Sequence, residues 1–268
     1  MVVVIITNSA SWSRDLFREN DLNKGMITTT LGLMCLVGTA FANSTDLNFT
    51  IGADFSRPSN TQYVSPVSGL MNSYAENNFG NSRLFSGLGA AYNFDHFADF
   101  ITFGLGLSFY YMGSRDISGV ETPGITILSP PQDTLNYTFL TKNTTLLLEP
   151  KLAYTVLPLQ PYILGGIGWA RNTMMNFSES TVPGSLAAPS TYPYPDHTQT
   201  SIAYEIGVGA QYIVPSVKTN HAILFHIEYR YLNLGQSRLG TAQAQTTNQH
   251  ITVNNTNNVV DFGITYRL

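Results

Sequence analysis

The sequence predicts an all-β fold, an eight-stranded antiparallel up-and-down transmembrane β-barrel. Three observations lead to this prediction: apolar and polar residues alternate along most of the chain, the connections between predicted strands are alternately long and short, and only 11% of the 268 residues are charged. An ordinary soluble protein has about 25% charged residues. Together these features favour strands with one face toward lipid over the strands of a soluble sandwich.

The composition excludes several other classes of protein. Mean hydropathy is only +0.01, and no apolar run of about 20 residues, the length that a membrane-spanning helix needs, follows Ala42. A multi-helix membrane protein is therefore excluded. The net charge of −4 argues against a nucleic-acid partner, because such partners require a basic surface. Cys35 is the single cysteine, which excludes a disulfide framework and a cysteine-based zinc site.

Residues 1–42 are predicted to be an N-terminal extension and a signal peptide that is removed. Residues 31–38 form a short apolar core, and Ala40-Phe41-Ala42 has the small-x-small pattern of a cleavage site. This core is too short to span a bilayer. The mixed charges of residues 1–21 do not fit a signal peptide, and we interpret this stretch as a start-site misassignment. Residues 43–268 are predicted to form a single β-barrel domain.

The first four predicted strands alternate with a period of two, which indicates strands with two different faces. In strand 1, apolar residues occur at every second position from Leu47. Strand 3 shows the same pattern from Ile101, and strand 2 has an apolar face made of Leu84, Leu88, Ala90, Tyr92 and Phe94. Strand 4 places Glu149 and Lys151 on the face opposite Leu146, Leu148 and Leu152. Each strand therefore has an apolar face and a face of polar or small residues.

The last four predicted strands follow the same rule, except that the pattern does not assign the faces of strand 5. Strand 6 has Glu205 on its polar face, strand 7 has Glu228 and Arg230, and strand 8 has Asp261. The eight predicted strands span 47–56, 83–94, 100–113, 143–156, 160–173, 201–214, 222–234 and 258–268.

The predicted connections alternate in length. The long ones are 57–82, 114–142, 174–200 and 235–257, and the short ones are 95–99, 157–159 and 215–221. Bacterial outer-membrane barrels have short periplasmic turns and long external loops, whereas a soluble barrel has no reason to segregate loop length by end. The pattern therefore predicts four long external loops and three short periplasmic turns.

The polar faces predict a charge cluster inside the barrel. If residue 214 faces residue 221, Glu205 lies directly opposite Arg230, and a register slip of two leaves them diagonal neighbours. Buried charges must be paired, so we expect the cluster to plug the lumen; the alternative is unpaired charges in a wet pore. Arg83, with Arg171 as a further candidate, is expected higher up the barrel. The predicted interior cluster consists of Glu149, Lys151, Glu205, Glu228, Arg230 and Asp261.

Three segments carry a resemblance to a known family. Residues 161–170 resemble the Pro-Tyr-x-x-Gly-x-Gly strand of small outer-membrane barrels, residues 228–231 resemble a strand end before a polar loop, and residues 259–268 are similar to a barrel assembly signal. Over 47–268 the chain resembles OmpA-type transmembrane domains and opacity-like surface antigens, although the family signal usually ends in an aromatic residue rather than Leu268. The resemblance implies the cell outer membrane, with outer-membrane lipid, lipopolysaccharide and the barrel-assembly machinery as partners.

No catalytic, cofactor-binding or metal-binding residues are predicted, and no cofactor. The glycine pairs do not complete a phosphate-binding loop, and the loop histidines show no metal-ligand spacing. His226 and Glu228 with Ser237, and the Asp196-His197 pair, are the candidates for an enzyme acting on lipid or peptide. The strand motif His-x-Ser of lipid A deacylases is not completed at His226, because residue 228 is a glutamate.

The function predicted is a non-enzymatic outer-membrane surface protein. Its long loops would have a structural or interaction role and contact a host or surface ligand. The alternative is a narrow transport barrel for small apolar solutes, like the OmpW type, and a lipid-modifying enzyme is less favoured. A polar lumen favours the surface protein, and an apolar tunnel favours the transporter.

Overall fold

The computed structural model describes residues 44–56, 61–77, 82–98, 100–124, 133–214, 221–243 and 245–268, with the backbone alone for 95–98. The predicted extension and signal peptide, residues 1–42, lie outside this part of the chain. No helix in the described residues is long and apolar enough to cross a membrane. The described residues form ten strands: β1 (Ser44–Ser56), β2 (Gln62–Val67), β3 (Leu70–Glu76), β4 (Ser82–Ala98), β5 (Ile101–Thr122), β6 (Leu135–Tyr154), β7 (Leu159–Thr181), β8 (His197–Val214), β9 (Ala222–Arg238) and β10 (Thr252–Arg267).

Eight of the strands form a closed antiparallel ring. β1 pairs with β4 on one side and with β10 on the other, and each strand from β4 to β10 pairs with the next along the chain. Thr45 and Leu268 join the first and last strands by backbone hydrogen bonds of 3.2 and 2.8 Å. The predicted ring of eight antiparallel strands is therefore confirmed.

The other two strands correct the predicted strand count. β2 and β3 form a hairpin within the connection 57–82, which was predicted to be a loop, and β3 pairs with the far end of β5 through Ser73 and Thr122. Gly69 turns the hairpin with a φ of +84°, a conformation that glycine adopts without strain. The sequence pattern misses this hairpin because Pro66 interrupts a short polar run, and proline argues against a strand.

The predicted lengths of the connections also need correction. The strands continue past their predicted ends. Three of the long connections therefore shrink to 123–134, 182–196 and 239–251, and the fourth is the connection that contains the hairpin. This side of the barrel is called the long-loop end. At the opposite side, the short-turn end, the connections are 99–100, 155–158 and 215–221. The alternation of long and short is retained, but much of each predicted loop is strand.

The sequence pattern did not predict these strand extensions, because the faces that carry apolar and polar side chains are exchanged in them. In the segments that were predicted to be strands, apolar side chains face outward: Ile202 and Ile206 are 69% and 63% exposed, whereas Glu205 between them is 5% exposed. In the extensions the apolar side chains face inward, and Tyr137 and Phe139 are both 3% exposed. An outward apolar band with a polar interior is the pattern of a transmembrane barrel, and the inverted pattern is that of a water-exposed sheet.

The interior is therefore built in layers. The extensions enclose an apolar core at the long-loop end that includes Tyr137, Phe177 and Leu239. A second apolar group, including Phe85 and Met112, lies further along the lumen, and Ala153, Tyr162 and Leu164 form a small third group. The predicted charge cluster draws Tyr110 from the second group and Tyr162 from the third into its hydrogen bonds.

Candidate functional site

Strand alternation brings the predicted charged side chains into the lumen. Glu205 on β8, Glu228 and Arg230 on β9, and Asp261 on β10 are each at most 5% exposed. Glu149 on β6 is 8% exposed. Asp261 is the direct cross-strand partner of Glu228, so two carboxylates face each other on neighbouring strands. Such a pair requires a cation between the carboxylates or a proton on one of them.

Arg230 lies at the centre of four carboxylates. Its Nε atom is 2.7 Å from Glu228 Oε1 and 3.1 Å from Asp261 Oδ2. Its Nη1 atom is 3.2 Å from Glu205 Oε2 and 3.5 Å from Glu149 Oε1. We call Arg230 and these four acidic residues the Arg230 cluster. Because Arg230 is only 1% exposed, its charge is balanced by protein groups rather than by water.

A tyrosine and a serine on β5 complete the hydrogen bonds on one side of the Arg230 cluster. The Tyr110 hydroxyl donates to Glu149 Oε1 at 2.6 Å, and the Ser108 hydroxyl donates to Glu149 Oε2 at 2.7 Å. The guanidinium carbon of Arg230 lies 4.7 Å from the centre of the Tyr110 ring, within the range of a cation–π contact. Both β5 residues were assigned to the polar face of their strand but not to the cluster.

Hydroxyl groups also donate hydrogen bonds to the carboxylates of Glu228 on β9 and Asp261 on β10. Tyr162 donates to Glu228 Oε2 at 2.7 Å, and Thr50 donates to Asp261 Oδ1 at 2.6 Å. The faces of strand 5, which contains Tyr162, were left unassigned, so sequence reasoning missed this contact. The signal that would have found it is the glycine opposite: Gly209 pairs with Tyr162, and a side chain at that glycine would collide with the tyrosine ring.

Lys151 lies apart from the rest of the predicted cluster. Its Nζ atom donates to Gln211 Oε1 at 3.0 Å and lies 4.9 Å from the centre of the Tyr162 ring. These contacts place Lys151 nearer the short-turn end than Arg230. Of the six residues predicted to form the interior cluster, four meet around the fifth, Arg230, and Lys151 lies beside them.

The predicted register between strands 6 and 7 is wrong by two residues. Val214 pairs with Ile223 rather than with residue 221, and Gly207 lies opposite Arg230. The strand bounds at this turn are as predicted, since β8 ends at Val214 and β9 begins at Ala222, so the error lies in the assumed pairing across the turn. Glu205 is therefore a diagonal neighbour of Arg230, and their side chains still meet because the arginine side chain is long enough to reach across.

Further ion pairs lie above and below the Arg230 cluster. Toward the long-loop end, Arg83 Nε is 2.5 Å from Asp54 Oδ2, and both side chains are buried. Toward the short-turn end, Arg267 Nε is 2.7 Å from Asp46 Oδ1. Arg83 thus lies above the cluster, as expected, whereas Arg171 is exposed and its placement inside the barrel was wrong.

An imidazole and two carboxylates meet next to the Arg230 cluster. His226, Glu228 and Asp261 are buried, and one potential ligand atom from each lies within 4.8 Å of the others. His226 Nε2 is 3.9 Å from Asp261 Oδ1. These residues are near a cavity of about 40 Å³, whose lining includes Lys151 and which exceeds the roughly 10–15 Å³ that one water needs. This group was not predicted from the sequence, in which only the loop histidines were weighed as metal ligands.

The residues weighed as enzyme candidates are not brought together. Ser237 lies 11 positions from His226 on β9, a separation of about 36 Å at 3.3 Å per strand residue. The Asp196 carboxylate accepts a hydrogen bond from the Asn176 backbone at 2.8 Å, and His197 Nε2 accepts one from Arg238 Nε at 3.3 Å. Neither candidate forms a nucleophile–base pair with these neighbours.

A buried carboxyl group lies outside the membrane-spanning part, at the long-loop end. Glu121 Oε1 accepts hydrogen bonds from Asn72 Nδ2 at 2.8 Å and from the Tyr74 hydroxyl at 2.9 Å. Burial, together with the charge of Glu179, raises the pKa of Glu121 to about 8. Sequence reasoning missed this group because it depends on the β2–β3 hairpin.

The chain is similar to several solved structures, at low sequence identity and with TM-scores below 0.5. Ail, the attachment invasion locus protein of Yersinia pestis in complex with the heparin analogue sucrose octasulfate, is 14% identical; the match covers 84% of this chain and 99% of Ail, with a TM-score of 0.34. The N-terminal β-barrel domain of OprF from Pseudomonas aeruginosa is 12% identical over 85% of this chain and 98% of its own, with a TM-score of 0.33. The outer membrane protease OmpT from Escherichia coli is 8% identical over 86% and 97%, with a TM-score of 0.37.

The family assignment comes from the sequence profile rather than from these structures. No curated protein matches the chain. The profile of the outer membrane protein beta-barrel domain matches residues 28–267, which includes every strand of the ring. The match agrees with the closed ring, the outward apolar band and the polar lumen. The chain therefore belongs to the outer membrane protein beta-barrel domain family and is a protein of the cell outer membrane.

Proposed function

We propose that this protein is a plugged barrel that acts at the cell surface through its long-loop end. The observation that carries the proposal is the Arg230 cluster, in which side chains from β6, β8, β9 and β10 converge on one buried guanidinium. An eight-stranded barrel has an interior just wide enough for side chains to fill. A lumen blocked by paired charges is a poor route for a solute, so function is assigned to the surface.

The long-loop end has the properties of a recognition surface. The connection 182–196 is held by polar contacts: Leu186 N donates to Asp133 Oδ1 at 2.8 Å, and Ser190 N donates to Glu179 Oε2 at 2.6 Å. The same connection exposes Leu186 at 90% and Tyr192 at 49%. Apolar side chains presented by a pre-ordered loop bind with a smaller entropic cost than those of a loose loop. We propose that this connection contacts a host or surface ligand.

Other partners follow from the outward face of the barrel. Its apolar band would contact outer-membrane lipid and lipopolysaccharide, and the last strand would be read by the barrel-assembly machinery. A transport role for small apolar solutes is less well supported, because the middle of the lumen is charged. The proposed role is structural and interactive rather than enzymatic.

Two measurements test the proposal. The double variant Leu186→Ser/Tyr192→Ser should reduce adherence of intact cells to host cells while leaving barrel assembly unchanged. Leu157→Ser is the matched control, because Leu157 is 53% exposed but lies at the short-turn end. Wild-type protein in planar bilayers should show no stable conductance. Unchanged adherence of the double variant, or passage of apolar solutes into liposomes carrying the wild type, would overturn it.

A further inference from the structure

We propose that His226, Glu228 and Asp261 form a binding site for one divalent transition-metal ion of the Zn²⁺ class inside the barrel. The three side chains come from neighbouring strands, with His226 and Glu228 on the lumen face of β9 and Asp261 directly opposite Glu228 on β10. One donor atom from each lies within 4.8 Å of the others. An imidazole nitrogen with two carboxylates is a ligand set that Zn²⁺ accepts, whereas Ca²⁺ and Mg²⁺ prefer oxygen alone.

The imidazole supplies an observation independent of the acidic residues. His226 is 7% exposed, and within the described residues its Nε2 atom has no hydrogen-bond partner. Nε2 is nonetheless only 3.9 Å from Asp261 Oδ1. A buried polar atom without a partner is unfavourable, so a group that pairs with Nε2 at this position stabilises the structure. A metal ion between Nε2 and the carboxylates is such a group.

The residue opposite His226 is a glycine, which leaves space for the imidazole ring. Gly263 pairs with His226 across β9 and β10, and a Cβ atom at position 263 would collide with Cε1 and Nε2 of the imidazole. The ring therefore lies over the glycine backbone on the strand that carries Asp261. The absence of a side chain at Gly263 leaves the space that the imidazole occupies.

The charges around the site are unbalanced when every carboxyl group is ionised. The four acidic residues of the Arg230 cluster carry four negative charges when ionised, and Arg230 and Lys151 carry two positive ones. Two negative charges remain, and buried charges must be compensated. One divalent ion restores neutrality. Protonation of two carboxyl groups is the competing solution, and the experiment below distinguishes the two.

Asp261 can contact Arg230 and bind a metal ion at the same time, because its two carboxylate oxygens face different groups. Its Oδ2 atom is 3.1 Å from Arg230 Nε, whereas its Oδ1 atom faces His226. Thr50, which donates to Oδ1 at 2.6 Å, has a second acceptor in the Phe262 carbonyl at 3.3 Å. Bonds of about 2.0–2.2 Å to one ion place tetrahedral donor atoms roughly 3.3–3.6 Å apart, so the donor atoms, which lie within 4.8 Å of one another, must approach by up to about 1.5 Å to close the site. The adjoining cavity has room for a water as a further ligand.

The test uses the complete barrel, refolded in detergent without a histidine tag, stripped with EDTA and dialysed against ZnCl₂. We expect one zinc ion per folded chain by elemental analysis. His226→Gln and Asp261→Asn should each weaken zinc binding by about tenfold or more. His197→Gln is the matched control, because His197 lies at the long-loop end beside Arg238, and it should bind zinc as the wild type does. Heat-modifiable gel mobility checks that each variant is folded.

The wild type alone provides an independent measurement. Its zinc-edge X-ray absorption should show one imidazole among oxygen ligands. Loss of all zinc on gel filtration would overturn the proposal and favour protonated carboxyl groups. Equal zinc in folded His226→Gln, or an absorption spectrum without imidazole, would show adventitious binding and would overturn it too. If His226→Gln does not fold, the wild-type spectrum still decides.

Discussion

At the residue scale, no other residue type can make the contacts that Arg230 makes in the lumen. Its guanidinium contacts Glu149, Glu205, Glu228 and Asp261 at 2.7–3.5 Å, with 1% exposure. The planar fork of arginine reaches several carboxylates in different directions, which the single ammonium group of lysine does not do. Buried ion pairs contribute little net stability, but removing one partner leaves uncompensated charge.

Replacing Arg230 with methionine should therefore destabilise the barrel. We expect a loss of about 3–5 kcal/mol in the free energy of unfolding, the cost of breaking a buried ion pair. Urea titration in detergent or lipid, followed by gel mobility, measures this loss. Arg171→Met is the control, because Arg171 is exposed and a surface change should stay within about 0.5 kcal/mol. Equal stability of the two variants would contradict the role given to Arg230.

Glu121 should make the long-loop end sensitive to pH. Its pKa in the folded protein is about 8, against an ordinary value of 4.5, so the folded state favours the neutral form. The stabilisation is complete below about pH 4.5 and is lost as the pH rises through 8. Hydrogen-exchange protection of β3, corrected for intrinsic rates, should fall over this range.

Two variants distinguish Glu121 from its neighbours. Glu121→Gln should abolish the fall in protection, because the amide stays neutral. Glu179→Gln should retain it but shift it to lower pH, since removing the neighbouring charge lowers the pKa of Glu121. The tyrosine at position 74 has a pKa raised by burial and by Glu121, so it stays neutral throughout. Protection that falls equally in Glu121→Gln would assign the response to another group.

At the element scale, the β2–β3 hairpin is attached to β5 by a close backbone approach. Glu76 pairs with Gly119, and Asn77 N donates to Ser118 O at 2.9 Å. A Cβ atom at Gly119 would collide with the Ala75 carbonyl oxygen and would lie 2.6 Å from the Tyr137 hydroxyl. Backbone atoms cannot move aside as a flexible side chain does, so this attachment requires glycine.

Gly119→Ala should detach the hairpin without opening the ring. Protease should then cut within 57–82 in the variant, and the gel mobility of the folded barrel should be unchanged. Gly113→Ala on the same strand is the control, because a Cβ atom there would be 3.6 Å or more from its neighbours. A hairpin that stays protected in Gly119→Ala would show that β5 is not its attachment.

At the scale of the whole molecule, closure of the ring satisfies the backbone of every ring strand. In lipid each unpaired backbone group costs several kcal/mol, so only a helix or a closed barrel can span. The hydrogen bonds between Thr45 and Leu268 complete this closure. Beyond the lipid band the same wall continues as a water-exposed sheet, which encloses the apolar core at the long-loop end.

The closed ring should resist detergent at room temperature. Boiled and unboiled samples should migrate differently in detergent gels, and circular dichroism should show strand with little helix. Protease added to intact cells should cut at the long-loop end, in 123–134, 182–196 or 239–251, and spare 155–158 and 215–221 unless the cells are permeabilised. Cleavage confined to the short turns would invert the orientation.

The sequence by itself determined the ring of eight strands, the faces of every strand but the fifth, and the alternation of long and short connections. Each follows from local pattern, because alternation in a strand assigns every side chain to a face. Alternation likewise identified Glu205 and Arg230 as lumen residues before their partners were known.

Only the tertiary structure decided which side chains meet. The register across β8 and β9 differs by two from the predicted one, because turn geometry is not written in the strand pattern. The contacts of Tyr110 and Tyr162, the attachment of the hairpin at Gly119, and the meeting of His226 with Asp261 all join residues that are distant in sequence. Such contacts depend on ring closure and strand stagger, which no single segment encodes.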